Sequence, residues 1–149
     1  HPLQATTLHD IAKIHLKRGR LKKTLHICDV VLTIRRDSLS ERHIDVAGAL
    51  LTKGSCLVAL GNTEEAAQRL LDALGIAEEA VGPTHPLVAD IHVEIGGMYL
   101  RKCQFDSARE SIQKALDIYE VSNLDDDFVG IRDAKEKMEQ AERDELLCV

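Results

Sequence analysis

The 149-residue sequence has no tryptophan, two Phe, two Tyr and three Pro. Any core must therefore be built from Leu, Ile, Val and Ala. Three prolines and nine glycines are also too few turn residues for a β-sandwich or barrel, which needs a turn signal about every ten residues. No apolar run approaches the roughly 20 residues of a membrane-spanning helix, and no secretory leader is visible. The four cysteines, Cys28, Cys56, Cys103 and Cys148, form no CxxC pair. They read as reduced, partly buried thiols of a cytoplasmic protein. Positive charge is also lacking: the net formal charge is −6, which argues against a nucleic-acid binder. The few aromatics offer no stacking platform for RNA. HExxH, GxSxG and a glycine-rich phosphate loop are all missing. These absences leave no expectation of catalysis, metal, cofactor or membrane. The chain begins at His1 rather than Met, as a piece of a longer protein does.

What is present is a soluble composition, 44% hydrophobic and 30% charged, arranged as a repeat. His1-Pro2-Leu3 recurs as His85-Pro86-Leu87, and His43 stands halfway, so the step is 42 residues. The register holds at Ala5, Ala47 and Ala89, at the small residues Ala12, Gly54 and Gly96, and at Leu16, Val58 and Leu100. It holds again at Leu32, Leu74 and Leu116 and at Ile34, Ile76 and Ile118. Each unit reads as two helices, with apolar residues such as Val88, Ile91, Ile95 and Met98 at helical spacing. The break falls at Gly19 in the first unit and Gly61-Asn62 in the second, where a left-handed residue can end a helix. Thr63 and Asp106 read as caps of the second helices. Gly82-Pro83-Thr84-His85-Pro86 stops the preceding helix. The expected spans are about 4–18, 21–37, 44–60, 63–81, 86–102 and 105–121.

Small residues at constant positions in repeated helix pairs resemble the tetratricopeptide repeat (TPR). Unit three carries Ile95-Gly96, Tyr99, Ala108, Ile112 and Ala115. Unit two carries Leu50, Gly54, Leu57, Ala66, Leu70 and Ala73. Unit one, with Ala12 and Cys28, is more degenerate. The 42-residue spacing and the segments Gly82-Pro83-Thr84-His85-Pro86-Leu87-Val88-Ala89 and Ala115-Leu116-Asp117-Ile118-Tyr119-Glu120 resemble the kinesin-light-chain and nephrocystin variety. The resemblance implies one all-α domain over residues 1–149, a right-handed α-solenoid. Its repeats occupy 1–42, 43–84 and 85–126, with a capping helix over 127–149. Val129, Ile131, Ala134, Met138 and Ala141 form the apolar side of that helix, and Met138 takes the small-residue slot. Ala12, Gly54, Gly96, Tyr99, Ala66, Ala108, Ala73 and Ala115 are the implied repeat-packing residues.

The resemblance also implies a concave groove, lined by the first helix of each pair, that takes a peptide or protein partner. Its candidate residues are His9, Lys13, Leu16, Lys17, Leu51, Ser55, Val58, Asp90, Val93, Glu94, Gly97, Leu100 and Arg101. The charge is polarised. Residues 1–42 hold nine Lys+Arg against four Asp+Glu, whereas each later segment is net negative. An acidic part of a partner would then lie near Lys13 and Lys17. TPR modules that clamp a C-terminal carboxylate use Lys, Asn and Arg where this chain has His9, Lys13, Thr52, Asp90 and Glu94, so a carboxylate would be repelled. His1, His43 and His85 read as turn residues and His92 as a packed histidine. A second expectation is an assembly role, in which the first repeat stacks on a neighbouring domain or copy.

Overall fold

A computed structural model describes residues 2–125 and 128–148. Its elements are α1 (Pro2–Lys17), α2 (Leu21–Ser38), α3 (Ile44–Leu60), α4 (Thr63–Val81), α5 (Pro86–Arg101), α6 (Phe105–Val121) and α7 (Val129–Leu147). The first six agree with the expected spans to within two residues. They form three antiparallel pairs stacked into an α-solenoid, with α7 packed on α5 and α6. His1, and residues 127 and 149 of the expected cap, lie outside the described residues.

Sequence sets the helix ends. His43 and His85 are true N-caps: the Nδ1 of each accepts a hydrogen bond from the backbone N–H two residues on, Asp45 and Leu87, at 3.0 Å. That satisfies one of the first-turn donors a helix leaves open. Thr63 and Asp106, expected as caps, lie instead inside the first turns of α4 and α6. Asn62 and Gln104 occupy the cap positions and make no side-chain cap bond. The turns within pairs pass through the left-handed region at Gly19 (φ 72°), Gly61 (φ 81°) and Cys103 (φ 55°), three positions spaced 42 residues apart.

Pairs close on their small residues. A Cβ on Gly54 would lie 2.6 Å from Leu70 Cδ2, and one on Gly96 would lie 2.6 Å from Ile112 Cγ1. Both glycines let a full aliphatic side chain nest against bare backbone. In the first pair the counterparts are Ala12 and Cys28, both fully buried; a larger residue on one helix faces a smaller one on the other. Ala66, Ala73, Ala108 and Ala115 are likewise completely buried, and Tyr99 is half-buried against the core.

The seventh helix departs from the 42-residue frame. Its N-cap, Phe128, stands 43 residues after the N-cap His85. Ile131, Ala134 and Ala141, buried on α7, therefore correspond to Val88, Ile91 and Met98, buried on α5. The residue in the small-residue slot is Glu139, which is exposed, and not Met138 as the unbroken frame predicts. The cause is the connection from α6, residues 122–128, which is longer than the connections of the earlier pairs (residues 39–43 and 82–85).

Candidate functional site

The odd-numbered helices stand side by side, and their shared face holds two adjoining cavities. The first, about 500 Å³, runs across α3, α5 and α7 between Val58, Leu100 and Arg101 on one side and Lys137, Gln140 and Asp144 on the other. The second, about 360 Å³, is walled by Lys13, Leu16 and Lys17 of α1 and by Asp90, Val93, Asp133 and Phe128 opposite. Ser55 and Glu94 border both cavities and join them into one groove.

Twelve of the thirteen groove residues expected from sequence line one or other cavity. Val58, Val93 and Leu100 form its floor and are nearly buried. Leu16 and Leu51 are half-buried, and Lys13 and Lys17 are exposed. Gly97 has a steric purpose: a Cβ there would come within 3.1 Å of Lys137 Cε, which reaches across from α7. Arg101 donates from Nη2 to the Ala59 carbonyl at 2.7 Å and ties α5 to α3.

His9 is the exception. It lines neither cavity and is only 8% exposed. Arg35 Nη1 donates to its Nδ1 at 3.2 Å, so Nε2 carries the proton and donates to Thr52 Oγ1 at 2.7 Å. The Thr52 hydroxyl in turn donates to the Gly48 carbonyl at 3.2 Å. Burial, and then the positive charges of Lys13 and Arg35, hold the imidazole pKa down at about 4. His9 is thus a neutral link between pairs, with no free nitrogen for a ligand.

The groove's electrostatics are lopsided. Lys13 and Lys17 face Asp90, Glu94 and Asp133. Burial raises the Glu94 carboxyl above its ordinary range, and Asp133 and Asp90 push it further, while Lys137 and a hydrogen bond from Ser55 pull it back. Asp90 is raised chiefly by burial and steadied by the hydroxyl of Tyr119, which donates to its Oδ1. Lys137 also pairs with Asp133 at 3.5 Å.

Sequence reasoning missed Asp133, Lys137, Gln140 and Asp144, because it treated α7 only as a cap. In the 43-residue frame they correspond to Asp90, Glu94, Gly97 and Arg101, all groove residues. The length of the connection after α6 was the available signal. The remaining candidates sit elsewhere. Cys28 and Cys56 are buried, with the Cys28 thiol pushed up to about 12 by burial. Cys103 and Cys148 are exposed and line neither groove cavity. His92 is half-buried, and burial lowers its pKa. Among the described residues no group of three or more His, Cys, Asp or Glu could hold a metal ion, and no helix is long and apolar enough to cross a membrane.

The tetratricopeptide repeat family pattern matches residues 3–79 and, overlapping, 45–120. Protein KINESIN LIGHT CHAIN-RELATED 1 of Arabidopsis thaliana is 29% identical over 121 residues, 81% of this chain and 20% of that protein. The chain thus spans about a fifth of that relative's length. A Podosopora anserina protein described as a kinesin light chain with nearly identical TPR-like repeats superposes with a TM-score of 0.78 at 18% identity. That match covers 95% of this chain and 66% of the other. BtubC (BKLC) from P. vanneervenii gives a TM-score of 0.73 at 20% identity, with 96% and 64% covered. At these identities the two structures share the fold.

Proposed function

Because the chain belongs to the tetratricopeptide repeat family, whose repeats mediate protein–protein interactions, we propose that the groove along α1, α3, α5 and α7 is where it takes an extended segment of a partner protein. The observation that carries this reading is the joining of two cavities at Ser55 and Glu94, with aliphatic floor residues between walls of opposite charge. The half-buried Leu16 and Leu51 offer apolar contact, while Lys13 and Lys17 attract the acidic part of a partner. Asp90, Glu94 and Asp133 repel acids at the opposite wall, so a bound segment has one favoured direction. The family's repeats serve as a non-catalytic scaffold.

The test is a selection of displayed ten-residue peptides against the whole chain, followed by calorimetry with the selected sequences. Acidic sequences whose affinity falls about tenfold in the Lys13→Glu/Lys17→Glu variant are expected, since each exposed charge contributes modestly. Selected peptides that bind the double variant with unchanged affinity sink the reading. A second reading, assembly through the first repeat, is favoured by Ile11 and Ile14, which are 37% and 49% exposed on α1.

A further inference from the structure

The four cysteines fall into two pairs with opposite surroundings. Cys28 of α2 and Cys56 of α3 are completely buried. Cys56 Sγ donates to the Leu21 carbonyl at 3.1 Å, and burial raises both thiols above their ordinary range. Such thiols are inert in the folded chain, because the thiolate is the reactive form and must be reached by a reagent. Cys103 and Cys148 are exposed. They stand 45 residues apart in sequence, yet their side chains hydrogen-bond to each other.

The fold brings the two segments together independently of the sulfurs. Cys103 is the left-handed residue of the α5–α6 turn, at φ 55°, where both earlier turns have glycine. Cys148 is the C-cap of α7, and its N–H donates to the Asp144 and Glu145 carbonyls. Arg109 of α6 pairs with Asp106 in the first turn of its own helix and with Glu145 in the last turn of α7, both at 2.6 Å. Asp106 lies three residues after Cys103, and Glu145 three before Cys148, so this guanidinium clamps the two cysteine-bearing segments side by side. Cys103 and Glu145 line a single cleft of about 350 Å³. Beneath it, Leu100, Phe105 and Ala108 form a buried cluster with Ala141 of α7.

We propose that Cys103 and Cys148 are a modification site, at which a small-molecule disulfide of the glutathione class drives an intramolecular cross-link that anchors the end of α7 to the α5–α6 turn. The thiolate of one cysteine attacks a sulfur of the oxidant, forming a mixed disulfide and expelling one thiolate. The other cysteine then attacks the protein sulfur of that mixed disulfide, forms the Cys103–Cys148 bond and expels the second thiolate. The two protein thiols lose two protons and two electrons, and the oxidant is reduced to two thiols. The bond closes a loop that contains α6 and α7 and so restricts the unfolded chain. It also fixes the helix that brings Gln140 and Asp144 to the groove wall. The inference rests on the two thiols and their clamp and is independent of the groove reading.

The test incubates the whole reduced chain, dilute, with excess oxidised glutathione, blocks the remaining thiols and maps the peptides by mass. A Cys103–Cys148 linkage within one chain is expected, with Cys28 and Cys56 still free. The melting temperature of that product should lie about 5 °C above that of the reduced chain and return to the original value with dithiothreitol. Cys148→Ser should instead retain one glutathione on Cys103, having no second thiol to displace it, and should show no such rise. Separate glutathione adducts on Cys103 and Cys148, a linkage formed only between chains, or a bond that leaves melting unchanged overturns the proposal.

Discussion

Arg35 of α2 donates a hydrogen bond to the ring nitrogen Nδ1 of His9 on α1, and the same Nη1 donates to the Asp45 carbonyl at the start of α3, at 3.2 and 2.7 Å. One guanidinium therefore joins three helices at the boundary between the first two pairs. It requires His9 to be neutral, because a protonated Nδ1 would turn its N–H toward the donor.

The first expected outcome follows from that requirement. The folded pKa of His9, about 4, lies below the ordinary 6.5. Between those values the unfolded chain takes up a proton that the folded chain refuses. The His9 contribution is thus complete above pH 6.5 and is lost as pH falls toward 4, by something on the order of 2 kcal/mol after allowance for partial solvation. Urea unfolding of the original chain and of His9→Gln across this range checks it. The difference between the two curves should slope in this window and be flat above pH 7.

Glu94 has the opposite sign. Its carboxyl is raised by burial and by the neighbouring acids, so the folded chain holds the proton to a higher pH than the unfolded one. Stability from the protonated form is present at low pH and is lost as pH rises through the folded value. Glu94→Gln should accordingly raise stability at pH 7, and by less at pH 4. Denaturant midpoints at the two pH values decide the matter.

Cys103 occupies with φ 55° the position that Gly19 and Gly61 hold at 72° and 81°. At the two glycines a Cβ would meet nothing within 4 Å, so backbone strain is the main cost of a side chain at this turn. Cys103→Gly is expected to stabilise by about 0.5–1 kcal/mol, and Gly61→Ala to destabilise by a similar amount. Thermal melting of the two single variants suffices as the check.

Gly54 and Leu70 form a size-matched pair. Gly54→Ala would drive a methyl group to 2.6 Å from Leu70 Cδ2 and 2.7 Å from its Cγ, costing about 1–3 kcal/mol of overpacking. Adding Leu70→Cys, which recreates the Ala12 and Cys28 combination of the first pair, should recover part of that loss. A double-mutant cycle by urea unfolding reads the coupling. Additive effects would show that the two positions do not share a volume.

The fold was legible because it is a local pattern said three times. Gly54 and Gly96 stand where only a glycine admits Leu70 and Ile112, and His85-Pro86 marks a helix start by its own chemistry. The groove was legible for a related reason: once α1, α3 and α5 are in register, their inner faces follow by counting. What escaped notice depends on facts that counting cannot supply. His9 satisfies the groove spacing, yet Arg35, 26 residues away in sequence, draws it into the boundary between pairs. The histidine caps were visible as recurring residues, but the hydrogen bond from Asp45 N–H to His43 Nδ1 is a matter of backbone angle. The far wall of the groove was lost because the extra residue before α7 turns that helix about 100° relative to an unbroken frame. That rotation places Asp133 and Lys137, rather than their neighbours, on the inner face.

The walls of the groove have one further consequence, which concerns elasticity. Lys13 stands on the first helix and Asp133 on the last, so no single helix pair sets the gap between them. In a stack whose units touch only their neighbours, small rotations at each interface add up along its length. The width of the groove is therefore a collective coordinate, as the opening of a coiled spring is, and it can change without disrupting the Gly54–Leu70 or Gly96–Ile112 nests inside each pair. Stiffness along this coordinate resides at the joints between pairs, where Arg35 binds His9 and Asp45 and where Arg101 binds Ala59.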